Sequence, residues 1–214
     1  MNKIYNESII NSAVTVEQMR MADAYTIANF VDSKELMYRA AMGINNNFDW
    51  MGKTVAIVTG SGNNGGDGYA LSCILFDNNI DCTIIRVSDK FSDDGKYYCD
   101  MALDKGVKVI AFDNEVSFEK YDVIVDCMLG TGFCGTPRGN IKAAIEKINS
   151  SDAFIISADI NSGMNGDTGE AEIAVKSNLT VSIGFYKVGM FKGRAYELIG
   201  ELVNVDIGIV REEE

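Results

Sequence analysis

The sequence predicts an α/β fold: a three-layer αβα, Rossmann-like sandwich with a mostly parallel central sheet and two N-terminal helices. Short β-rich runs alternate with helical stretches from Thr54 onward. Several runs, such as Val-Ile-Val and Phe-Ile-Ile, are continuously apolar, as expected for strands buried on both faces of a parallel sheet. A glycine-rich segment also separates the first strand from its helix, as in many nucleotide-binding α/β folds.

Two helices precede the first strand. Thr-Val-Glu-Gln at 15–18 has the form of a capping box and predicts a helix to about Phe30. Asp23 falls inside its apolar stripe, where a structural hydrogen bond or an edge position is favoured over contact with an active site. A second helix is predicted from Lys34 to about Trp50. The apolar stripe of the first helix comprises Val16, Met19, Ile27 and Phe30.

The rest of the chain supplies the sheet and its covering helices. Strand–helix alternation of this kind predicts a doubly wound sheet in one domain. The predicted strands are 54–59, 82–87, 107–112, 123–128, 154–158, 179–183 and 202–209. The predicted helices between them are 68–76, 93–105 and 140–148.

Composition excludes several classes of function. A net charge of −12 argues against binding a nucleic-acid backbone, which needs a basic face. No apolar run approaches the ~20 residues that span a bilayer, and the first residues lack the pattern of a secretory signal. We therefore expect a cytoplasmic protein with no membrane partner.

Cysteine and histidine usage narrow the chemistry. The five cysteines are odd in number and lack CxxC spacing, so they are expected to be reduced and mostly buried. The sequence contains no histidine, which removes the usual general base and the commonest zinc ligand. Acid–base chemistry must then fall to carboxylates, Lys, Tyr, Cys or bound water.

Residues 60–68, between the first strand and its helix, read Gly-Ser-Gly-Asn-Asn-Gly-Gly-Asp-Gly. Gly60, Gly62 and Gly65 satisfy GxGxxG in a strand–turn–helix context. Glycines permit positive φ and let the backbone approach a pyrophosphate at a helix N-terminus. A tight structural turn is the alternative, but a run built only from Gly, Asn, Ser and Asp favours phosphate binding.

Carboxylates close two further strands at the same predicted sheet edge. Asp126 ends an apolar strand and needs backbone N–H groups, a hydroxyl or a cation as partner. Asp159 leaves another buried strand, within Ser-Ala-Asp-Ile-Asn-Ser-Gly at 157–163. Helix capping is the structural alternative for each loop. Because ligands of open parallel sheets bind beyond the carboxyl ends of the strands, the three loops together predict a dinucleotide-sized pocket.

These loops resemble the NAD(P)H-hydrate epimerase family, also described as the N-terminal domain of bifunctional NAD(P)H-hydrate repair enzymes. The resemblance rests on Gly-Asn-Asn-Gly-Gly-Asp-Gly at 62–68, Gly-Thr-Gly at 130–132 after Asp126, and Asp-Ile-Asn-Ser-Gly at 159–163. Similar residues also occur at 19–23, 166–169, 179–187 and 205–209. The resemblance thus covers nearly the whole chain in order.

The resemblance implies an isomerase that interconverts the R and S epimers of hydrated NADH and NADPH (NADHX and NADPHX) for cofactor repair. A separate NAD(P)H-hydrate dehydratase acts on the S form and is often fused to this domain. We therefore expect residues 1–214 to be a single epimerase domain that depends on another polypeptide for dehydration, or a fragment of a longer protein. The family also suggests a homodimer.

The resemblance implies the site residues as well. Asp159 would lie beside the damaged nicotinamide ring as the catalytic and a substrate-binding residue. A potassium ion would be held by oxygen ligands from Asn64, Asp126 and Ser162. The other substrate-binding residues implied are Asn63, Asn64, Gly65, Gly66, Asp67, Gly130, Thr131, Gly132, Phe133, Cys134, Gly135 and Thr136.

One departure from the family pattern is Asn161, where the family usually has proline. Asparagine tolerates turn conformations, so the loop is expected to form with less rigidity. In the expected reaction, hydroxyl leaves a ring carbon next to nitrogen and water returns to the other face. Asp159 is predicted to protonate the hydroxyl and then activate the water, with Lys187 a weaker candidate for a supporting charge.

Two other classes of function stay open. An NAD-dependent dehydrogenase shares the GxGxxG pattern, but it normally needs a substrate domain and a proton relay. A non-catalytic module could use the same fold to bind nucleotides or proteins. Such a module would tolerate loss of the carboxylate, so the presence of Asp159 favours an enzyme.

Overall fold

The computed structural model of the chain describes residues 7–212. Seven strands form one sheet in the order β3-β2-β1-β4-β5-β6-β7, and every neighbouring pair is parallel. The chain reverses direction across the sheet between β1 and β4, the type of switch point at which such sheets bind ligands. The strands are β1 (Thr54–Thr59), β2 (Asp81–Arg86), β3 (Lys108–Ala111), β4 (Val123–Cys127), β5 (Phe154–Ala158), β6 (Leu179–Ile183) and β7 (Glu201–Val205).

The predicted strands agree with these bounds, with one clear exception. The predictions for β1, β5 and β6 are confirmed to the residue, and those for β2, β3 and β4 are within one or two residues. The last predicted strand, 202–209, is too long because β7 ends at Val205. The chain then turns: Gly208 adopts a φ of +86° and its N–H donates to the Asp206 carboxylate.

Seven α-helices accompany the sheet in the described part of the chain. Two of them, and one 3₁₀ turn at Val188–Phe191, were not predicted, because elements this short carry little periodicity. The helices are α1 (Glu7–Ser12), α2 (Val16–Asn29), α3 (Ser33–Asn46), α4 (Asn63–Asp77), α5 (Asp93–Lys105), α6 (Gly139–Asn149) and α7 (Ala195–Leu198).

The two N-terminal helices differ in detail from the prediction. The capping box of α2 is confirmed, with Thr15 and Gln18 exchanging both hydrogen bonds. The apolar stripe was wrong in part, because Ile27 and Phe30 are 44% and 59% exposed. The buried face of α2 holds Met19, Ala22 and Thr26 instead.

The second helix, α3, ends at Asn46 rather than near Trp50. The indole N–H of Trp50 turns back to donate to the Asn45 carbonyl at 2.9 Å. This contact folds the segment after α3 against the helix end, so the chain cannot continue helically to Trp50. Helix α3 itself packs on α4 and also contacts β6 and β7.

The sheet separates two hydrophobic clusters, as a three-layer sandwich requires. Val55 and Ile57 of β1 face a cluster that includes α3, α4 and α5. Ala56 and Val58 face the opposite cluster, which includes α6. The four cysteines at 73, 82, 99 and 127 are buried, only Cys134 is exposed, and all five are free, as predicted. Among residues 7–212 no helix has the length and apolar character of a membrane span.

Candidate active site

A cavity of about 490 Å³ lies at the carboxyl ends of the central strands. Its polar side comes from the start of α4 and from the loops after β4 and β5, including Asp67, Gly130 and Asp159. Its other side comes from α2 and α3, including Met19 and Met37. The position beside the β1–β4 switch point and the size are those of a small-molecule site.

The glycine-rich segment after β1 is mostly helical, which corrects the prediction of a loop to Gly68. Helix α4 begins at Asn63 with Gly62 as its N-cap. None of the glycines between 60 and 68 has a positive φ; close packing requires glycine at Gly60, Gly65, Gly66 and Gly68, whereas Gly62 has open space where a Cβ would lie. A Cβ on Gly65 would lie 2.3 Å from the Gly60 carbonyl oxygen, and one on Gly60 would lie 1.9 Å from that of Met128.

The predicted substrate-binding residues divide into two groups. Those at the cavity are Asn63, Asn64, Asp67, Gly130, Thr131, Gly132, Phe133 and Asp159. The other five do not border it. Gly65 and Gly66 are buried behind the α4 turn, where a Cβ on Gly66 would lie 2.4 Å from Met37 Cε. Cys134, Gly135 and Thr136 lie farther along the loop, and the Thr136 hydroxyl donates to Glu172 at 2.8 Å.

Asp126, at the end of β4, is fully buried and fully satisfied. Its carboxylate accepts hydrogen bonds from the backbone N–H groups of Met128 and Ser162 and from the hydroxyls of Ser157 and Ser162. Burial raises the pKa of Asp126, and the hydrogen bonds from Ser162, Met128 and Ser157 oppose that rise. The sequence left backbone N–H groups, a hydroxyl or a cation open as partners of Asp126. In the structure its partners are backbone N–H groups and hydroxyls.

Asp159, at the end of β5, faces the cavity and pairs with a lysine. Its backbone has a φ of +64°, a conformation that costs a non-glycine residue roughly 1–3 kcal/mol. One carboxylate oxygen accepts from the ammonium of Lys187 and the other from the Thr131 N–H at 3.3 Å. The half-buried carboxylate is therefore held from two sides.

Lys187 is fully buried and lies beneath this carboxylate. Its ammonium also donates to the Ile183 carbonyl at 2.9 Å and to the Ser182 hydroxyl at 3.4 Å. A buried ammonium requires a paired anion and full hydrogen bonding, and this lysine has both. Lys187, which the sequence suggested only as a weaker candidate for a supporting charge, is thus in direct contact with Asp159.

Two more carboxyl groups share the cavity, and their pKa values are raised. Burial and then the negative charge of Asp159 raise the pKa of Asp23 to about 6. Burial, followed by Asp159 and Asp23, raises the pKa of Asp67 well above its usual range. The position of Asp23 corrects the expectation of a structural or edge role, because Asp23 borders the cavity.

Asn64 carries a buried oxygen without a hydrogen-bond partner. Its Oδ1 is unsatisfied in the described structure, although its Nδ2 donates to the Leu129 carbonyl at 3.0 Å. The N–H of Leu129 in turn donates to the Ser162 hydroxyl at 2.8 Å. The three residues implied as potassium ligands are thus joined through Leu129 and through the Asp126–Ser162 bonds. An orphaned amide oxygen among hydroxyl and carboxylate oxygens fits a hard cation.

The loop with Asn161 in place of proline forms, and the asparagine is anchored in the core. Its side chain is fully buried. Its amide nitrogen donates to the carbonyls of Val175 and Leu198 and to the Ser177 hydroxyl. Its oxygen accepts from the Thr180 hydroxyl at 3.1 Å. Sequence reasoning treated this position as a missing proline and could not foresee partners that come from three later segments.

Known proteins are similar to this chain over most of its length. A family model described as "YjeF-related protein N-terminus" matches residues 33–189. The chain belongs to this family. Among members, the NAD(P)H-hydrate epimerase of Limosilactobacillus reuteri strain DSM 20016 is 33% identical over 196 residues, covering 89% of this chain and 92% of that protein. The NAD(P)H-hydrate epimerase of Lentilactobacillus buchneri is 32% identical and covers 94% of this chain and 97% of its own.

Two further similarities concern a longer protein and a solved fold. The bifunctional NAD(P)H-hydrate repair enzyme Nnr of Thermofilum pendens is 34% identical over 158 residues, which are 70% of this chain but 30% of that protein. The crystal structure of the yeast protein ynu0 superposes with a TM-score of 0.75 at 20% identity, covering 90% of this chain and 86% of that one. This similarity concerns the fold alone.

Proposed function

We propose that this YjeF-family protein is an NAD(P)H-hydrate epimerase, an isomerase that interconverts the R and S forms of NADHX and NADPHX. The observation that carries the proposal is the Asp159 carboxylate, held by the buried Lys187 and facing a cavity at the sheet switch point. The names of relatives that align over nine-tenths of their length support it.

The start of α4 is the proposed diphosphate site. Asn63 is the first residue of the helix and borders the cavity, so its N-terminal N–H groups and the positive end of the dipole suit an anion. The glycines let this turn pack closely on the end of β4, and they keep side chains out of the approach. This arrangement favours a dinucleotide over a substrate without phosphates.

The proposed chemistry divides proton transfer between carboxyl groups in different environments. Asp159, whose carboxylate is ion-paired with Lys187, accepts the proton of the incoming water. Asp67 and Asp23, whose pKa values are raised, supply neutral carboxyl groups that can donate to the departing hydroxyl. The nitrogen of the substrate ring assists departure of the hydroxyl as water, and a water molecule adds to the opposite face. Proton exchange with solvent then returns Asp159 to its carboxylate and the donor carboxyl group to its neutral form.

We also propose a potassium ion at Asn64, Asp126 and Ser162. The bound ion would supply positive charge beside an acidic cavity and a partner for Asn64 Oδ1. Potassium should then raise the melting temperature more than sodium does, and Asn64→Ala should abolish the difference. Asn63→Ala is the matched control, because Asn63 borders the same cavity with an exposed side chain. Equal stabilisation of wild type by both ions would reject the site.

The proposed setting is cytoplasmic, with a separate dehydratase that consumes the S epimer. Fusion in the Thermofilum enzyme supports coupling of the two activities, and the free cysteines suit a reducing compartment. We propose a homodimer as well. The exposed Met21 of α2 and Phe30, directly after this helix, offer apolar surface for such a contact.

The proposed activity is tested with purified R-NADHX, an S-specific dehydratase with its nucleotide, and NADH absorbance. Addition of this protein should speed recovery of NADH beyond the rate of spontaneous epimerisation. No acceleration in the presence of potassium would reject the epimerase and favour a binding module. A dehydrogenase would instead transfer hydride to an added acceptor without the dehydratase.

A further inference from the structure

The side chain of Asn161 anchors the turn after Asp159 to the core of the protein. Asn161 lies two residues after Asp159 and one before Ser162 in the chain, and its amide is fully buried. Three donor contacts, to Val175 and Leu198 carbonyls and the Ser177 hydroxyl, are 3.0–3.1 Å long. An asparagine side chain has two N–H donors, so both are engaged and one is shared between two acceptors, while the amide oxygen accepts from Thr180.

This anchor continues into the buried polar network of Asp126. The Ser177 hydroxyl lies 2.6 Å from that of Ser157, and Ser157 donates to Asp126 at 2.9 Å. Asp126 then accepts from the backbone and hydroxyl of Ser162. The turn is therefore gripped at Asn161 and Ser162, directly beyond the residue with positive φ.

Asp159 is also held at its own atoms. Its carboxylate contacts the buried Lys187 and the Thr131 N–H, and its own N–H donates to the Val181 carbonyl at 2.8 Å. Its φ of +64° is nevertheless unfavourable, and a strained residue keeps its conformation only when its surroundings over-determine it. The buried amide of Asn161 adds a constraint from the core on the backbone that follows Asp159.

We propose that Asn161 is a positioning residue of the active site: its buried amide holds the turn so that the Asp159 carboxylate stays in contact with Lys187 and aimed into the cavity. The claim that catalysis depends on it rests on the proposed epimerase function. The positioning itself is a statement about the geometry of the turn and can be measured without activity.

The test compares Asn161→Ala with Asn149→Ala. Asn149 is an exposed residue that anchors the same segment from α6, through bonds to the Ala174 carbonyl and the Lys176 N–H at 2.9 and 2.8 Å. Both variants lose hydrogen bonds to residues 174–177, but only Asn161 holds the Asp159 turn. Asn161→Ala should lower kcat by roughly 10- to 100-fold, the effect of a small misplacement of a catalytic group, with KM within about threefold. Asn149→Ala should leave both near wild type.

Crystal structures of the same variants supply the second readout. In Asn161→Ala, Asp159 should leave the positive-φ region or lose contact with Lys187, whereas Asn149→Ala should keep both. If Asn161→Ala does not fold, Ser177→Ala cuts the link between Asn161 and Ser157 with a smaller change of volume and should show the same displacement in milder form.

The outcomes separate the two proposals. An inactive wild type would reject the epimerase but leave the structural comparison decisive for Asn161. An unchanged Asp159–Lys187 pair in Asn161→Ala, or equal losses of kcat in Asn161→Ala and Asn149→Ala, would overturn the positioning role.

Discussion

Asp126 and Asp159 occupy equivalent places at the ends of neighbouring strands, yet their surroundings are opposite. Asp126 is fully buried and accepts from backbone N–H groups and hydroxyls alone. Asp159 borders the cavity and contacts a buried ammonium and one N–H. The Asp126 carboxylate links the loops around it through hydrogen bonds, whereas the Asp159 carboxylate faces the cavity.

The difference shows what distinguishes a structural from a reactive carboxylate. Both oxygens of Asp126 accept hydrogen bonds from buried protein groups, and the side chain has no exposed surface, so a substrate in the cavity does not reach it. Asp159 keeps free capacity and is charge-compensated by Lys187. Position at a strand end, which the sequence reveals, is common to both and cannot decide between them.

The largest expected effect is on activity at Asp159. Asp159→Asn keeps the shape and an accepting oxygen for Lys187 but cannot exchange a proton, so kcat should fall by about 10²- to 10⁴-fold. The coupled NADH assay measures it. Asp167→Asn is the matched control, because Asp167 belongs to a nearby loop and accepts from the Val16 N–H; its rate should stay within about threefold of wild type. Full turnover in Asp159→Asn would remove Asp159 from the mechanism.

Asp126 should instead affect stability. Asp126→Asn turns an amide N–H₂ toward groups that themselves donate, and it leaves buried donors unsatisfied. The free energy of unfolding should fall by about 2–4 kcal/mol, the cost of one or two unsatisfied buried groups. Urea denaturation measures the change. A variant as stable as wild type would contradict the structural role assigned to this carboxylate.

The smallest expected effect concerns Asp23, where the substitution should raise the free energy of unfolding, whereas Asp126→Asn should lower it. The folded-state pKa of about 6 lies above the ordinary 3.8, so ionisation of Asp23 destabilises the fold as pH rises from about 4 to above 6. Asp23→Asn should therefore raise stability at pH 7.5 by about 1 kcal/mol, or roughly 2–4 °C, and the gain should vanish near pH 4. The same variant should lower the epimerisation rate.

Asp94→Asn is the control for that comparison. Asp94 also borders the cavity but pairs with Lys34 at 3.4 Å, so its loss should give no stabilisation at pH 7.5. Thermal melts of wild type, Asp23→Asn and Asp94→Asn between about pH 4 and pH 7.5 measure the change in stability. A stability gain in Asp94→Asn equal to that in Asp23→Asn would show a general charge effect of this acidic protein.

Strands and the location of the site could be predicted from the sequence because each depends on local pattern. Short runs rich in β-forming residues predict β1, β5 and β6 to the residue, and parallel strands bring their carboxyl ends to one edge. The start of α4 could not be predicted, because its first turns are rich in glycine, a poor helix former. Contacts of those glycines with Gly60 and Met37 override this preference.

Partners from distant parts of the chain were beyond sequence reasoning. Lys187 lies 28 residues from Asp159, and nothing in local pattern pairs them. Asp23 was set aside because a carboxylate within a helix stripe is usually structural, whereas here the helix itself forms a cavity wall. Asn161 differs again: only the fold brings Val175, Thr180 and Leu198 to its amide.

The two sides of the cavity differ in stiffness. On the polar side the backbone of Gly60 packs directly against the backbone of Met128, so that even a methyl side chain at Gly60 would not fit. The opposite side presents thioether chains of Met19 and Met37, which are unbranched, polarisable and able to change rotamer at little cost. An epimerase must accept both configurations at one ring carbon and the planar species between them. In the binding mode proposed above, the phosphates would contact the rigid turn at the start of α4, and the ring would lie against the more adaptable methionine side chains.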